Sequence, residues 1–164
     1  MSITLGLEQL LDYSDHERRK WKDWVAAQPA RLQISFQPGG RFPTIGTLLD
    51  HVFLVERRHL ARLQGATPPD ATGIALQDWT ALFEYADLVR ADLRKYVSEV
   101  PDASVSETFT FTGPFGTFTM TRRRLAVHVV LHENRHLAQL AYAARLAGHE
   151  PPGEHDLIYF SEFA

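Results

Sequence analysis

The stretch from residue 121 to residue 147 contains no glycine and no proline, and its residues favour helix. An unbroken helix of that length is a rod against which the other long segments have to pack. It carries His128, His132, Glu133 and His136. Each residue advances about 100° around a helix, so His132 and His136 project from one face, one turn apart. That spacing lets two imidazoles reach one metal ion. His128 lies a further turn back, about 80° around from His136, placed to join such a site or to stand at its rim. A single histidine on an apolar helix is usually packed or at the surface; three at four-residue intervals point to a metal site. The same letters spell HExxH, which in zinc proteases supplies two ligands and a general-base glutamate. Here the chain continues Leu137-Ala138-Gln139-Leu140-Ala141-Tyr142 instead of xxGxxH, so a third ligand has to be sought elsewhere.

The chain has no cysteine. Thiolate ligands, disulfides and a cysteine nucleophile are therefore excluded, which leaves His, Asp and Glu for metal chemistry. The lack of cysteine also fits a reducing compartment. The 164 residues, 45% of them apolar, suit one globular domain over 1–164. A net charge of −3 gives no case for nucleic-acid binding. Residues 1–5 lack the pattern of a signal peptide, and no apolar run reaches the length that spans a bilayer. The expectation is a cytoplasmic protein acting on a small molecule, with no membrane or nucleic-acid partner.

A first helix is predicted over 5–27, ending before Pro29. Leu7, Leu10, Leu11, Trp21, Trp24 and Val25 share one face, interrupted in the middle by Ser14, Glu17 and Arg18. Either the helix overhangs solvent there or its inner face meets a polar pocket; the continuous stripe on both sides favours the pocket. Residues 29–43 read as a loop with a turn at Pro38-Gly39-Gly40. Thr44 caps a second helix over 45–64, closed by Gly65. His51 lies three residues after Leu48 and four before Val55, so it points into the apolar face. It is either a core histidine satisfied by a hydrogen bond or a metal ligand, and the histidine pair elsewhere favours the ligand. His59 leans toward Arg58 and Arg62, at the surface or a pocket rim. Residues 66–75, with Pro68-Pro69, form a linker. A third helix over 76–100 stops at Pro101, and its stripe, which no titratable residue interrupts, reads as scaffold. Residues 106–120 alternate Thr with Phe around Gly113-Pro114-Phe115-Gly116, a short hairpin placed over one end of the bundle. Thr121 caps the fourth helix, whose first turn holds Arg122, Arg123 and Arg124. Cations there oppose the helix dipole; they are either solvated or an electropositive mouth for an anion. Arg124 lies on the line of His128 and His132. Residues 156–160 are a short apolar tail that packs back on the bundle.

Four long helices, a histidine early in the second, a hairpin, then HExxHxxQ: this arrangement resembles the DinB/YfiT-like family of metal-dependent enzymes. The likeness covers nearly the whole chain. Its most specific parts are Leu48-Leu49-Asp50-His51 and His132-Glu133-Asn134-Arg135-His136-Leu137-Ala138-Gln139; Ala138 stands where the family often has glycine. The resemblance implies an all-α four-helix bundle with a short β-hairpin between helices three and four, a homodimer, and one divalent ion on His51, His132 and His136. Zn, Ni, Fe and Mn all suit imidazole, with Zn or Ni favoured. Some members transfer low-molecular-weight thiols such as bacillithiol or mycothiol, and related enzymes isomerise maleylpyruvate with a thiol cofactor. The expected function is that of a metal-dependent transferase, which activates an external thiol for attack on a small electrophile. Arg124, Arg18, His128 and Ser14 are then the candidate substrate or cofactor contacts. Glu133, about 100° around the helix from His132, is either a catalytic base or a support for the ligands. Two other readings stay open. One is a non-catalytic metal-binding stress-response protein with a closed coordination shell. The other is an HExxH metallopeptidase or hydrolase, whose third ligand would come from Glu150 or Glu154 in the Pro-rich turn, a poor platform for it.

Overall fold

The computed structural model describes residues 5–37 and 39–161. Residues 1–4 and Pro38 of the expected turn lie outside them. The helices are α1 (Leu7–Ala27), α2 (Ile45–Leu63), α3 (Trp79–Glu99), the single turn α4 (Asp102–Val105) and α5 (Arg122–Leu146). The strands β1 (Thr108–Gly113) and β2 (Gly116–Thr121) come between α4 and α5. Two short 3-10 segments, Pro29–Gln33 and Leu157–Tyr159, complete the chain.

Local chemistry sets the helix ends. The Thr44 hydroxyl accepts the Thr47 N–H at 3.2 Å, while the Thr47 hydroxyl accepts the Thr44 N–H at 3.0 Å. Thr121 caps α5 by accepting the Arg124 N–H at 3.1 Å. α3 starts three residues later than its apolar spacing suggests, because the Asp78 carboxylate accepts the Ala81 N–H at 3.0 Å and so fixes Asp78 as the cap. Gly65 and Gly148 follow α2 and α5 with φ of 71° and 78°, the left-handed conformation that ends a helix without a Cβ clash.

The four long helices pack as a bundle, α5 against α1 and α2, and α3 against the same two. Their apolar faces form two core clusters. One gathers Trp21, Val25, Leu49, Phe53, Phe83 and Leu140. The other gathers Leu11, Leu60, Leu63, Leu93, Leu125 and Val130. Between them, in the sequence of every long helix, comes a buried polar position. Ser14, Arg18, Glu56, Arg90 and Glu133 are each 4% exposed or less.

These side chains form one ion network. Arg18 donates to Glu56 at 2.5 Å, to Glu133 at 2.8 Å and to the Ala86 carbonyl at 3.0 Å. Arg90 donates to Glu56 at 2.7 Å, to Glu133 at 2.6 Å, and to Asp15 at the edge of the network. Two cations thus face two carboxylates with little water present, so removing any one member leaves an uncompensated buried charge. This corrects two expectations. The break in the α1 stripe meets neither solvent nor an open pocket but carboxylates from α2 and α5. Nor is α3 an uncharged scaffold, since Arg90 sits on its inner face. Glu17, the third residue of that break, instead takes a hydrogen bond at 2.6 Å from His155 in the C-terminal segment.

In the hairpin Phe109 pairs with Met120 and Phe111 with Phe118. Phe109 and Phe111 are partly covered while Thr108, Thr110 and Thr112 face solvent. In the tail, Phe160 packs on Tyr13 and His16 with ring centroids 5.7 and 5.1 Å away, whereas Leu157, Ile158 and Tyr159 are exposed. Among the described residues no helix is long and apolar enough to cross a membrane.

Candidate metal centre

The apolar stripe of α2 lays it along α5, and this brings His51 beside His132 and His136. The two α5 histidines are buried and His51 is half-buried. One ring nitrogen from each lies within 4.8 Å of the other two. The Nε2 atoms of His132 and His136 are 3.2 Å apart. Two ligand nitrogens at about 2.0–2.1 Å from a tetrahedral ion sit roughly 3.3 Å from each other, so the α5 pair already has the spacing of two ligands. The Gln139 carbonyl accepts a hydrogen bond from Nδ1 of His136 at 2.6 Å. That bond fixes the tautomer and leaves Nε2 free to face an ion. Phe42, from the loop before α2, closes one side, with its ring centroid 4.5 Å from His51 and 6.1 Å from His136.

The electrostatics favour neutral, ligating imidazoles. Burial, then the charges of His136, Arg41 and Arg58, push His51 down to about 4. Burial and the neighbouring histidines push His132 to about 2. His136 is also lowered by burial, against the opposing bond to Gln139. Near pH 7 all three therefore have a lone pair to give, as a metal site requires. The three-imidazole set fits a divalent ion, and among the described residues no fourth His, Cys, Asp or Glu joins it.

The triad forms part of the wall of a cavity of about 590 Å³. Phe111, Phe115, Phe118 and Met120 from the hairpin supply much of its apolar wall, and Arg41, Arg58, Arg62, Arg124 and Arg135 surround it. His128 and His59 line it as well. Their rings are 5.3 Å apart, and His128 is 5.7 Å from His132. The hairpin thus covers the site itself, beyond the end-of-bundle packing its sequence suggests.

Of the eight residues singled out from the sequence, five share this cavity: His51, His132, His136, Arg124 and His128. Ser14, Arg18 and Glu133 do not line it. Glu133 is 1% exposed, and its carboxylate accepts from Arg18, Arg90 and the Ser14 hydroxyl. Burial alone would raise its pKa, but the two arginines hold it below the usual carboxylate range. The carboxylate therefore faces the core from the same helix whose histidines face the cavity. Sequence reasoning missed Glu56 and Arg90. Their one signal was position: Arg90 falls four residues after Ala86 and seven after Phe83, within an apolar stripe. Gln139 was visible only as a letter of the motif, with no role attached.

The model of the DinB superfamily matches residues 31–140, a span that includes all three histidines and Gln139. The chain belongs to the DinB superfamily. Its fold is similar to solved proteins from three bacteria. A DinB-like protein from Bacillus cereus is 20% identical with a TM-score of 0.64, over 90% of this chain and 96% of that one. A conserved protein from Enterococcus faecalis is 15% identical with a TM-score of 0.65, over 89% and 97%. YfiT from Bacillus subtilis, described as a probable metal-dependent hydrolase with an unusual four-helix bundle topology, is 15% identical with a TM-score of 0.63, over 92% and 94%. At these identities the likeness concerns the fold. No curated protein matches the chain.

Proposed function

We propose that this DinB-superfamily protein is a metalloenzyme that uses a divalent ion on His51, His132 and His136 to activate a low-molecular-weight thiol for attack on a small electrophile. One observation carries the reading: the three-histidine cluster opens onto a 590 Å³ cavity with no fourth protein ligand beside it among the described residues. A structural ion would be closed off by a fourth side chain, whereas a catalytic one keeps a position for substrate. This counts against the non-catalytic alternative.

A bound divalent ion supplies Lewis acidity, lowering the pKa of a thiol or water that it holds. The chain's own groups favour the thiol. Among the described residues no Asp or Glu lines the cavity, and Glu133 is committed to Arg18 and Arg90. His59 is driven to about 3 by burial and then by Arg62 and His128. His128 is lowered by burial and then by Arg135 and Arg124. Both are therefore weak proton acceptors. An ion that brings the pKa of bound water from about 15.7 to about 7 ionises a thiol, already at about 8.5, at least as readily. Hydrolysis would further need a proton carrier for the leaving group, a role for which these rings are poorly suited. Within the same proposal Arg124 and His128 contact the thiol or its partner. Ser14 and Arg18 act at a distance, by holding Glu133 and so the α5 turn that bears the ligands. The homodimer, the cytoplasmic location and a role in stress response belong to this proposal through the family resemblance.

The test is a screen of metal-loaded protein with a panel of low-molecular-weight thiols and a chromogenic electrophile. The expected result is thiol conjugation that His51→Ala abolishes. Ester or amide hydrolysis without any thiol consumption would instead favour the hydrolase reading, which the description of YfiT raises.

A further inference from the structure

The cavity's charge and shape are not explained by a metal site alone. The chain as a whole is acidic, with a net charge of −3, yet five arginines surround this one cavity and, among the described residues, no carboxylate lines it. Elsewhere in the bundle Arg18, Arg57, Arg90 and Arg94 each pair with a carboxylate. Among the described residues, none of the five cavity arginines has one within ion-pair distance. Two of them lie over aromatic rings instead. The Arg62 guanidinium is 4.8 Å from the Phe111 centroid, and that of Arg41 is 5.1 Å from Phe42 and 5.8 Å from Phe115. A guanidinium stacked by its face keeps N–H edges available for a planar anion.

The polar and apolar parts are separated along the cavity. At the end away from the triad, Arg62 donates to Nδ1 of His59 at 3.3 Å. His59 touches His128, and Arg124 lies one helical turn before His128. Two ring-to-ring steps of 5.7 and 5.3 Å lead from His132 through His128 to His59. Alongside runs the hairpin wall, where Phe111 and Phe118 lie 5.6 Å apart and Met120 follows.

We infer that this cavity takes a small organic anion with a flat apolar body. Its anionic group sits at Arg62 and Arg124, its body lies against Phe111 and Phe118, and its other end reaches the histidine triad. The molecule is no longer than the two ring steps together, which is the scale of an aryl ring with a short carboxylate arm. The inference names the electrophile class for the reaction proposed above, and it rests on that reading only for the end at the triad.

The experiment is calorimetric titration of the full chain, both metal-loaded and chelator-treated, with cinnamate, cinnamyl alcohol and acetate. Cinnamate carries body and charge, the alcohol the body alone, and acetate the charge alone. Cinnamate is expected to bind both protein forms, with the other two at least about tenfold weaker, since a charge-assisted pair and an apolar body each contribute on that scale. Arg124→Gln, at an exposed position, is expected to weaken cinnamate about tenfold, and Arg62→Gln likewise. Equal affinity for cinnamate and its alcohol overturns the inference, as does an Arg124→Gln variant that binds like the parent, or no binding at all. Binding that vanishes with the ion and ignores Arg124 also overturns it, because the carboxylate would then simply ligate the metal. Elemental analysis of the same samples reports separately whether an ion is bound, so failure of the metal reading leaves the chelator-treated titration interpretable.

Discussion

Replacing Glu133 by Gln separates the role this structure gives that residue from the one its HExxH motif suggests. The side chain is 1% exposed and accepts from Arg18 at 2.8 Å, from Arg90 at 2.6 Å and from Ser14. Glutamine keeps the volume and one acceptor oxygen, enough for Arg18, but turns an NH₂ toward the donors of Arg90. The charge balance of the core shifts by one. Breaking a buried pair from one side costs about 3–5 kcal/mol. Glu56 still contacts both arginines, at 2.5 and 2.7 Å, and Asp15 still holds Arg90, so the loss falls at the low end, about 3 kcal/mol. For a chain of this size that corresponds to a fall in Tm of about 6–12 °C. Thermal unfolding followed by circular dichroism, with metal content measured on the same samples, checks it. The variant is expected to unfold earlier yet keep its ion. A Tm within about 2 °C of the parent, together with complete loss of catalysis, would refute the reasoning and restore Glu133 as a base.

Two further outcomes follow from the site. Gln139→Leu removes the acceptor that orients His136 and should raise the metal Kd about 10–100-fold, measurable by competition with a chromogenic chelator; an unchanged Kd would show that the bond has no orienting role. In the metal-free protein His51 is depressed to about 4, and His132 and His136 are lowered too, whereas an unfolded histidine titrates near 6.5. The unfolded chain therefore takes up protons first as pH drops. Stability should be full above about pH 6.5 and decline toward pH 4, and denaturant titrations across that window should show the ion raising stability while leaving this decline at least as steep, because ligating rings stay unprotonated. A stability profile flat from pH 7 to pH 4 would contradict the burial of these rings.

Much of this was legible because the signals are local. Thr44, Gly65, Pro101, Thr121 and Gly148 mark helix ends by their own backbone preferences, and the four-residue spacing of His132 and His136 sets their shared face whatever surrounds them. His51 could be read as pointing inward from its place between Leu48 and Val55, but its meeting with the α5 pair depends on how α2 lies against α5. What stayed hidden was pairwise in character. Glu56 and Arg90 look like ordinary helical charges until four helices bring them together with Arg18 and Glu133. The alternation of Phe and Thr announces a hairpin but does not say what it covers. Glu133 follows the same logic: its motif suggests a base, while the neighbours that claim its carboxylate come from α1 and α3.

In the proposed site imidazoles from two helices share one ion. Elemental analysis of the purified protein beside His51→Ala, after equilibration with Zn or Ni and removal of the unbound ion, measures it directly. One ion per chain is expected in the parent and close to none in the variant, with the helical circular dichroism of the two superimposable. Full occupancy in His51→Ala, or no ion retained by the folded parent, would contradict it.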